Sequence, residues 1–159
     1  MNRFFNDEIL AKKYEGGTLL IFRLAPYDYH RFYFPFDCIP GLIVKIKGKY
    51  DSVNPIVFKS GYQPITENKR HLIILKTKNF GEVAMVPVGA ICVGKIIETF
   101  TENQDYDKGD EAGYFSFGGS TVVLAFEKGK VSIDPKFVEH SKAGYETQVL
   151  FGERIGQCR

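Results

Sequence analysis

Tyr114-Phe115-Ser116-Phe117-Gly118-Gly119-Ser120-Thr121-Val122-Val123-Leu124-Ala125-Phe126-Glu127 sets two strand-like runs on either side of a Gly-Gly-Ser-Thr step. In the second run Val122, Leu124 and Phe126 recur at every second position, the period of a strand with one face in a core. Taken locally, Gly118-Gly119-Ser120-Thr121 reads as a hairpin turn, because Gly reaches positive φ freely and Ser suits turns. The same residues carry a second reading. Gly119 offers an unhindered carbonyl just before a hydroxyl, so Ser120 Oγ is placed to attack it and cut the chain from within.

Outward from this stretch the chain keeps a β character. Residues 18–24 are apolar on both faces and read as a buried strand, whereas Leu42, Val44 and Ile46 alternate with Lys45 and Lys47 as in a strand with one wet face. Residues 72–76, 82–88 and 90–100 are further candidates, separated by Gly, Pro, Asn and Asp. The expected fold is mainly β (α+β), with eight or more strands in two packed sheets, a β-sandwich or barrel-sandwich. One or two short helices lie at its periphery. Asn6 caps the first, with Asp7 and Glu8 at its positive end and Lys12 and Lys13 at its negative end, until Gly16-Gly17 stops it. Pro135 and residues 136–143 form the second before Gly144, and residues 147–151 a final strand. The polar stretch 101–112 is long for a β connection, and such loops are usually functional or mobile. No repeat or linker divides the chain, so residues 1–159 read as one domain.

Composition narrows the function. With 159 residues the chain can bury roughly 70% of its unfolded surface without staples. Lys and Arg number 21 against 19 Asp and Glu, a balance that gives none of the strong positive field of a nucleic-acid binder. The weakly polar run 83–94 is broken by Pro87, Gly89 and Gly94 and falls short of the ~20 residues of a membrane-spanning helix. Asn6 and Asp7 follow closely on the first Met, unlike a secretory signal, so a cytoplasmic setting is the default. Cys38, Cys92 and Cys158 fit neither a disulfide framework nor a zinc pattern, and no metal is expected.

A serine nucleophile needs a base. Of the three histidines, His30 has the most promising surroundings, in Leu24-Ala25-Pro26-Tyr27-Asp28-Tyr29-His30-Arg31-Phe32, where a Pro-led turn follows a strand and Asp28 and Arg31 stand close by. The plain alternative is a surface pair of Asp28 with Arg31 and a solvated His30. His71 and His140 lack such a setting. Phe32, Tyr33, Phe34 and Phe36 beside Arg31 are either core and rim or an aromatic, basic loop for a lipid headgroup layer. The glycines at 113, 118 and 119 match no phosphate-cradling spacing.

The motif Ala25-Pro26-Tyr27-Asp28-Tyr29-His30-Arg31-Phe32 is followed by Tyr50-Asp51-Ser52-Val53-Asn54-Pro55 and by Val88-Gly89-Ala90 with Val93-Gly94. Lys108-Gly109-Asp110-Glu111-Ala112-Gly113 then leads into the opening stretch, and Gly144-Tyr145-Glu146-Thr147 and Gly152-Glu153-Arg154-Ile155-Gly156 come last. In this order the chain resembles phosphatidylserine decarboxylase, nearest the bacterial forms with a Gly-Gly-Ser-Thr cleavage motif. The resemblance implies a proenzyme that cuts itself between Gly119 and Ser120 into a β chain, 1–119, and an α chain, 120–159. It implies that Ser120 forms an ester with Gly119, that β-elimination releases the upstream chain, and that loss of ammonia leaves a pyruvoyl group at the new terminus. That group forms a Schiff base with phosphatidylserine and acts as electron sink while carbon dioxide leaves, giving phosphatidylethanolamine.

By the same resemblance His30 is the base in self-cleavage and a proton carrier in decarboxylation. Asp28, Arg31, Tyr33, Gly118 and Thr121 are supporting or substrate-binding candidates. Tyr33 stands where the family's His-Arg-Phe-His pattern has its second His. The resemblance also brings an anionic membrane surface as partner, with the protein peripheral at the cytoplasmic side of the cell membrane. Family members carry an N-terminal region with membrane-associating helices and an Asp-Gly motif whose Asp joins the self-cleavage triad, and this sequence begins beyond it. Losing the carboxylate that orients a catalytic histidine costs about 10⁴ in rate. The absent segment would also leave apolar surface uncovered, so poor solubility, association with a second copy of the chain or a partner supplying that segment is expected, and the alternative is a relative that binds phospholipid or a partner chain uncut.

Overall fold

The computed structural model describes residues 1–91, 95–116 and 119–159, so Cys92, Val93, Gly94, Phe117 and Gly118 lie outside the described residues. Helices α1 (Asn2–Phe5) and α2 (Glu8–Lys13) precede strands β1 (Thr18–Leu24), β2 (Arg31–Tyr33), β3 (Ile39–Pro40) and β4 (Val44–Ile46). Two more short helices, α3 (Pro55–Lys59) and α4 (Pro64–Glu67), lead into β5 (Arg70–Thr77), β6 (Gly81–Val88), β7 (Lys95–Glu98), β8 (Glu111–Ser116) and β9 (Ser120–Phe126). Strand β10 (Val131–Ile133), helix α5 (Pro135–Lys142) and strand β11 (Gly156–Cys158) follow.

The mainly β reading holds. One sheet has the order β1-β9-β6-β5-β3, with β4 also on β5, and a second has β2-β8-β7. Their facing sides form one core, in which Ile73, Leu75, Val83, Met85, Val122, Leu124 and Phe126 of the large sheet meet Phe32, Ile96, Ala112 and Phe115 of the small one. As the period of two requires, Val122, Leu124 and Phe126 share this inner face. Val86, Val88, Val123 and Ala125 point the other way, under Phe4, Phe5 and Tyr14 of the N-terminal segment. Buried Arg70 fastens that segment, donating through Nε to the Phe4 carbonyl at 2.7 Å and through Nη1 to the Asn68 carbonyl at 2.8 Å. The small sheet packs close at Gly113, where a Cβ would stand 2.3 Å from the Ile97 carbonyl and 2.7 Å from the Phe32 ring.

Six local expectations are corrected. Asp7, not Asn6, caps α2, since its extended backbone lets Oδ1 accept from Leu10 N at 2.9 Å. Asn6 instead closes α1 with a left-handed φ of 52°, a conformation Asn tolerates. Residues 18–24 form an edge strand, so Leu19 and Ile21 on its outer face are 39% and 50% exposed rather than buried. Leu42 lies outside the short strand β4 and is exposed, and in the run 90–100 the strand among the described residues is Lys95–Glu98. Residues 147–151 make no strand; the last one is Gly156–Cys158, paired with Val131–Ile133.

The Gly-Gly-Ser-Thr step is not a hairpin turn. Strand β8 pairs with β2 and β7, whereas β9 pairs with β1 and β6, so the step carries the chain from one sheet to the other.

Candidate active site

Ser120 opens β9 opposite Leu24, the last residue of β1, and is fully buried. Beyond Leu24 the chain turns back at once. The Asp28 carboxylate accepts from Ala25 N at 2.7 Å, and Asp28 N donates to the Ala25 carbonyl at 2.9 Å, closing the Pro-led turn. The returning strand is tied to the small sheet by Phe115 N, which donates to the His30 carbonyl at 2.9 Å. These fixtures bring the His30 ring between the two strand ends. Its Nδ1 lies 2.9 Å from Ser120 Oγ and its Nε2 lies 3.1 Å from the Ala25 carbonyl oxygen.

The second contact decides the first. A carbonyl oxygen only accepts, so Nε2 carries the proton and donates it to Ala25. Nδ1 of the neutral ring then holds a lone pair toward the serine hydroxyl, which is the arrangement of a general base and its nucleophile. A backbone carbonyl thus fixes the tautomer, the task a carboxylate performs in a serine triad. Asp28 acts one peptide behind it, by shaping the turn that aims the carbonyl.

The other candidates separate. Gly119 precedes Ser120 with space around its Cα among the described residues, where the nearest atom to an added Cβ is the Leu24 carbonyl oxygen at 3.5 Å. Gly118 lies outside the described residues. Arg31 does not pair with Asp28: its guanidinium holds the Glu111 carboxylate at 2.5 Å and lies over the Tyr114 ring, which keeps its pKa above the ordinary value through the bond to Glu111. Thr121 follows Ser120 on the strand and therefore projects to the opposite face of the sheet, where its buried Oγ1 meets no partner among the described residues. Tyr33 stacks edge-on against Phe151 at 4.9 Å, and its phenol pKa is raised by burial and by a hydrogen bond with Tyr29.

Two features escaped the sequence reading. His71 is buried, with Nδ1 hydrogen-bonded to the Glu98 carboxylate, and its inward-facing place in the series 71, 73, 75 was the available signal. Asn68, also fully buried, donates to the Asp51 carbonyl at 2.7 Å and the Gly89 carbonyl at 2.8 Å and accepts from Asp51 N at 3.0 Å. It ties the 49–54 loop to the end of β6, the strand beside β9.

The β-sandwich thus places the His30 ring against the hydroxyl of the buried serine that directly follows Gly119. The family model for phosphatidylserine decarboxylase matches residues 1–157. A phosphatidylserine decarboxylase proenzyme of Clostridium novyi is 54% identical over 147 residues, covering 92% of this chain and 50% of that protein. One from Fusobacterium nucleatum is 49% identical over 156 residues, covering 98% and 52%. The chain belongs to the phosphatidylserine decarboxylase family, and it spans about half the length of these curated relatives.

Proposed function

We propose that this chain is the catalytic portion of an enzyme that decarboxylates phosphatidylserine to phosphatidylethanolamine, and that it first cuts itself after Gly119. The observation that carries this reading is the His30–Ser120 contact, with the tautomer set by Ala25. His30 Nδ1 takes the Ser120 hydroxyl proton as Oγ bonds to the Gly119 carbonyl carbon. The peptide C–N bond then breaks and its nitrogen takes the proton back, leaving an ester. Loss of the Ser120 Cα proton expels the Gly119 carboxylate, water replaces the nitrogen as ammonia leaves, and residue 120 ends as a pyruvoyl group. A serine between a glycine carbonyl and a base fits that origin. The ketone supplies an electron sink for the bond to carbon dioxide. His30, freed of its serine, remains beside residue 120 as the group that moves a proton to and from the substrate.

The products of the cut are residues 1–119 and 120–159. In a denaturing intact-mass spectrum they appear as two species, the smaller lighter by one ammonia than a serine-ended fragment. A single 18.0 kDa species overturns the reading and leaves a relative that binds phospholipid uncut.

The surroundings of His30 support a lipid substrate. Tyr27 is 90% and Phe151 79% exposed, with Tyr29, Tyr145 and Leu150 also exposed. Tyr29 and Phe151 meet at Tyr33, and Arg23 anchors the C-terminal segment through a bidentate pair with Glu146 at 2.6 and 2.8 Å. An exposed aromatic patch at the mouth of a site suits the headgroup layer of a bilayer. This reading places the protein at the cytoplasmic surface of the cell membrane, where a further segment of the longer proteins or a second copy of this chain is its partner. Sedimentation with phosphatidylserine vesicles is expected to fall several-fold in a Tyr27→Ser/Tyr29→Ser variant; unchanged sedimentation removes this patch from membrane contact.

A further inference from the structure

The two sheets are joined inside their apolar core by two polar side-chain bridges among the described residues. One is His30 to Ser120. The other is His71 on β5 to Glu98 on β7, and its His71 Nε2 is buried with no partner among the described residues. A buried carboxylate–imidazole pair is costly, and apolar side chains of like volume would hold this place at least as well. A ring nitrogen left unmet adds to that cost, so the pair calls for an explanation beyond stability.

Its placement supplies one. The pairings of Arg70 with Val88, Ile73 with Met85 and Pro87 with Val122 put His71 in one row with Pro87 and Val122, on the inner face. Val122 is the inner-facing residue next after Ser120. His71 is therefore two strands across and two residues along from Ser120, a Cα separation of about 12 Å. Ser120 is itself fully buried, so a head group that reaches residue 120 already enters this inner space.

On the function proposed above, the substrate amine is brought to residue 120. Four bonds separate that nitrogen from the phosphorus, so a phosphodiester oxygen lies about 6 Å from it, and a hydrogen bond of about 2.8 Å extends the reach to about 9 Å. The nearby arginines are otherwise engaged, Arg23 with Glu146, Arg31 with Glu111 and Arg70 with carbonyls on the outer side. Lys69 lies over the Tyr50 ring. We infer that His71, carrying both ring protons with its Nδ1–H held by the Glu98 carboxylate, donates from Nε2 to the phosphodiester of the bound head group and sets specificity for a phosphorylated serine. This rests on the proposed function, because residue 120 fixes where the amine lies.

The test uses water-soluble glycerophosphoserine, titrated calorimetrically into the purified chain. Affinity is expected to fall at least about tenfold in His71→Leu/Glu98→Leu, the loss of one hydrogen bond to a charged group. The melting temperature holds or rises, since an apolar pair replaces a buried polar one. A purely structural role predicts the reverse: altered melting with unaltered affinity. Unchanged affinity in the double variant, or loss of binding in Lys69→Met alone, overturns the proposal. In the unmodified protein, ¹⁵N-labelled at its three histidines, the same titration is expected to move the His71 Nε2 resonance. Saturation with that resonance in place overturns the proposal whatever the variant's folding. Absence of any binding overturns it too, and the mass spectrum then tells whether the proposed function falls with it: a chain cut at Gly119 retains that function, and an intact one removes it.

Discussion

Ser120→Ala leaves the chain in one piece, a single species near 18.0 kDa on denaturing mass analysis, with no decarboxylation above background. On the proposed function, the substitution removes only the oxygen that attacks the Gly119 carbonyl. Ala125 and Ala84 show that small side chains suit this sheet, so folding is retained. Among the described residues no other hydroxyl is placed to replace it: Thr121 projects to the far face, and Ser116 Oγ is engaged with the Lys95 carbonyl. A break at Gly119/Ala120 in this variant, seen by the same spectrum, would show that cutting proceeds by chemistry other than serine attack.

His30→Ala is expected to slow cutting by at least about 10³-fold, the scale of a general base. Followed as the fraction of uncut chain over time, it separates His30 from Asp28. If Asp28 serves through its charge, Asp28→Asn is as damaging as loss of His30. If it serves by accepting from Ala25 N at 2.7 Å, as the geometry has it, Asn accepts the same bond and cutting stays within about tenfold of the unmodified chain. Asp28→Ala, which leaves that N–H without its acceptor, falls between them. Normal maturation of His30→Ala removes His30 from the mechanism.

The long strands were legible because they are long. Arg70–Thr77, Gly81–Val88 and Ser120–Phe126 carry enough Val, Ile and Leu at alternate or successive positions to declare themselves from composition alone. Their partners in space are another matter. Ser120 and His30 are 90 residues apart, and Ser116 and Ser120 only four, yet the fold joins the first pair and assigns the second to different sheets. A turn signal reports on local backbone freedom, which Gly119 has in either case, so the hairpin reading of that step had nothing to contradict it. Asn6 and Asp7 are both good caps, and only the extra helix α1, held by Arg70, decides between them. The tautomer of His30 depends on a main-chain carbonyl, and a main-chain atom leaves no mark in a sequence. Glu98 left no mark for a related reason: it meets His71 across the sandwich, from a strand 27 residues further on.

The crossing of the Gly-Gly-Ser-Thr step from sheet to sheet has a lasting effect on the proposed mature form. Strand β9 lies between β1 and β6, and both belong to the upstream piece. A cut after Gly119 would sever the covalent link and leave every β1–β9 and β6–β9 hydrogen bond in place, so the fragments remain a complex until denatured. Reassembly after unfolding would then be a bimolecular event, dilution would favour the separated pieces, and the native arrangement would persist through slow dissociation. A chain cut there would have one opportunity to fold as a unimolecular reaction, spent before the cut.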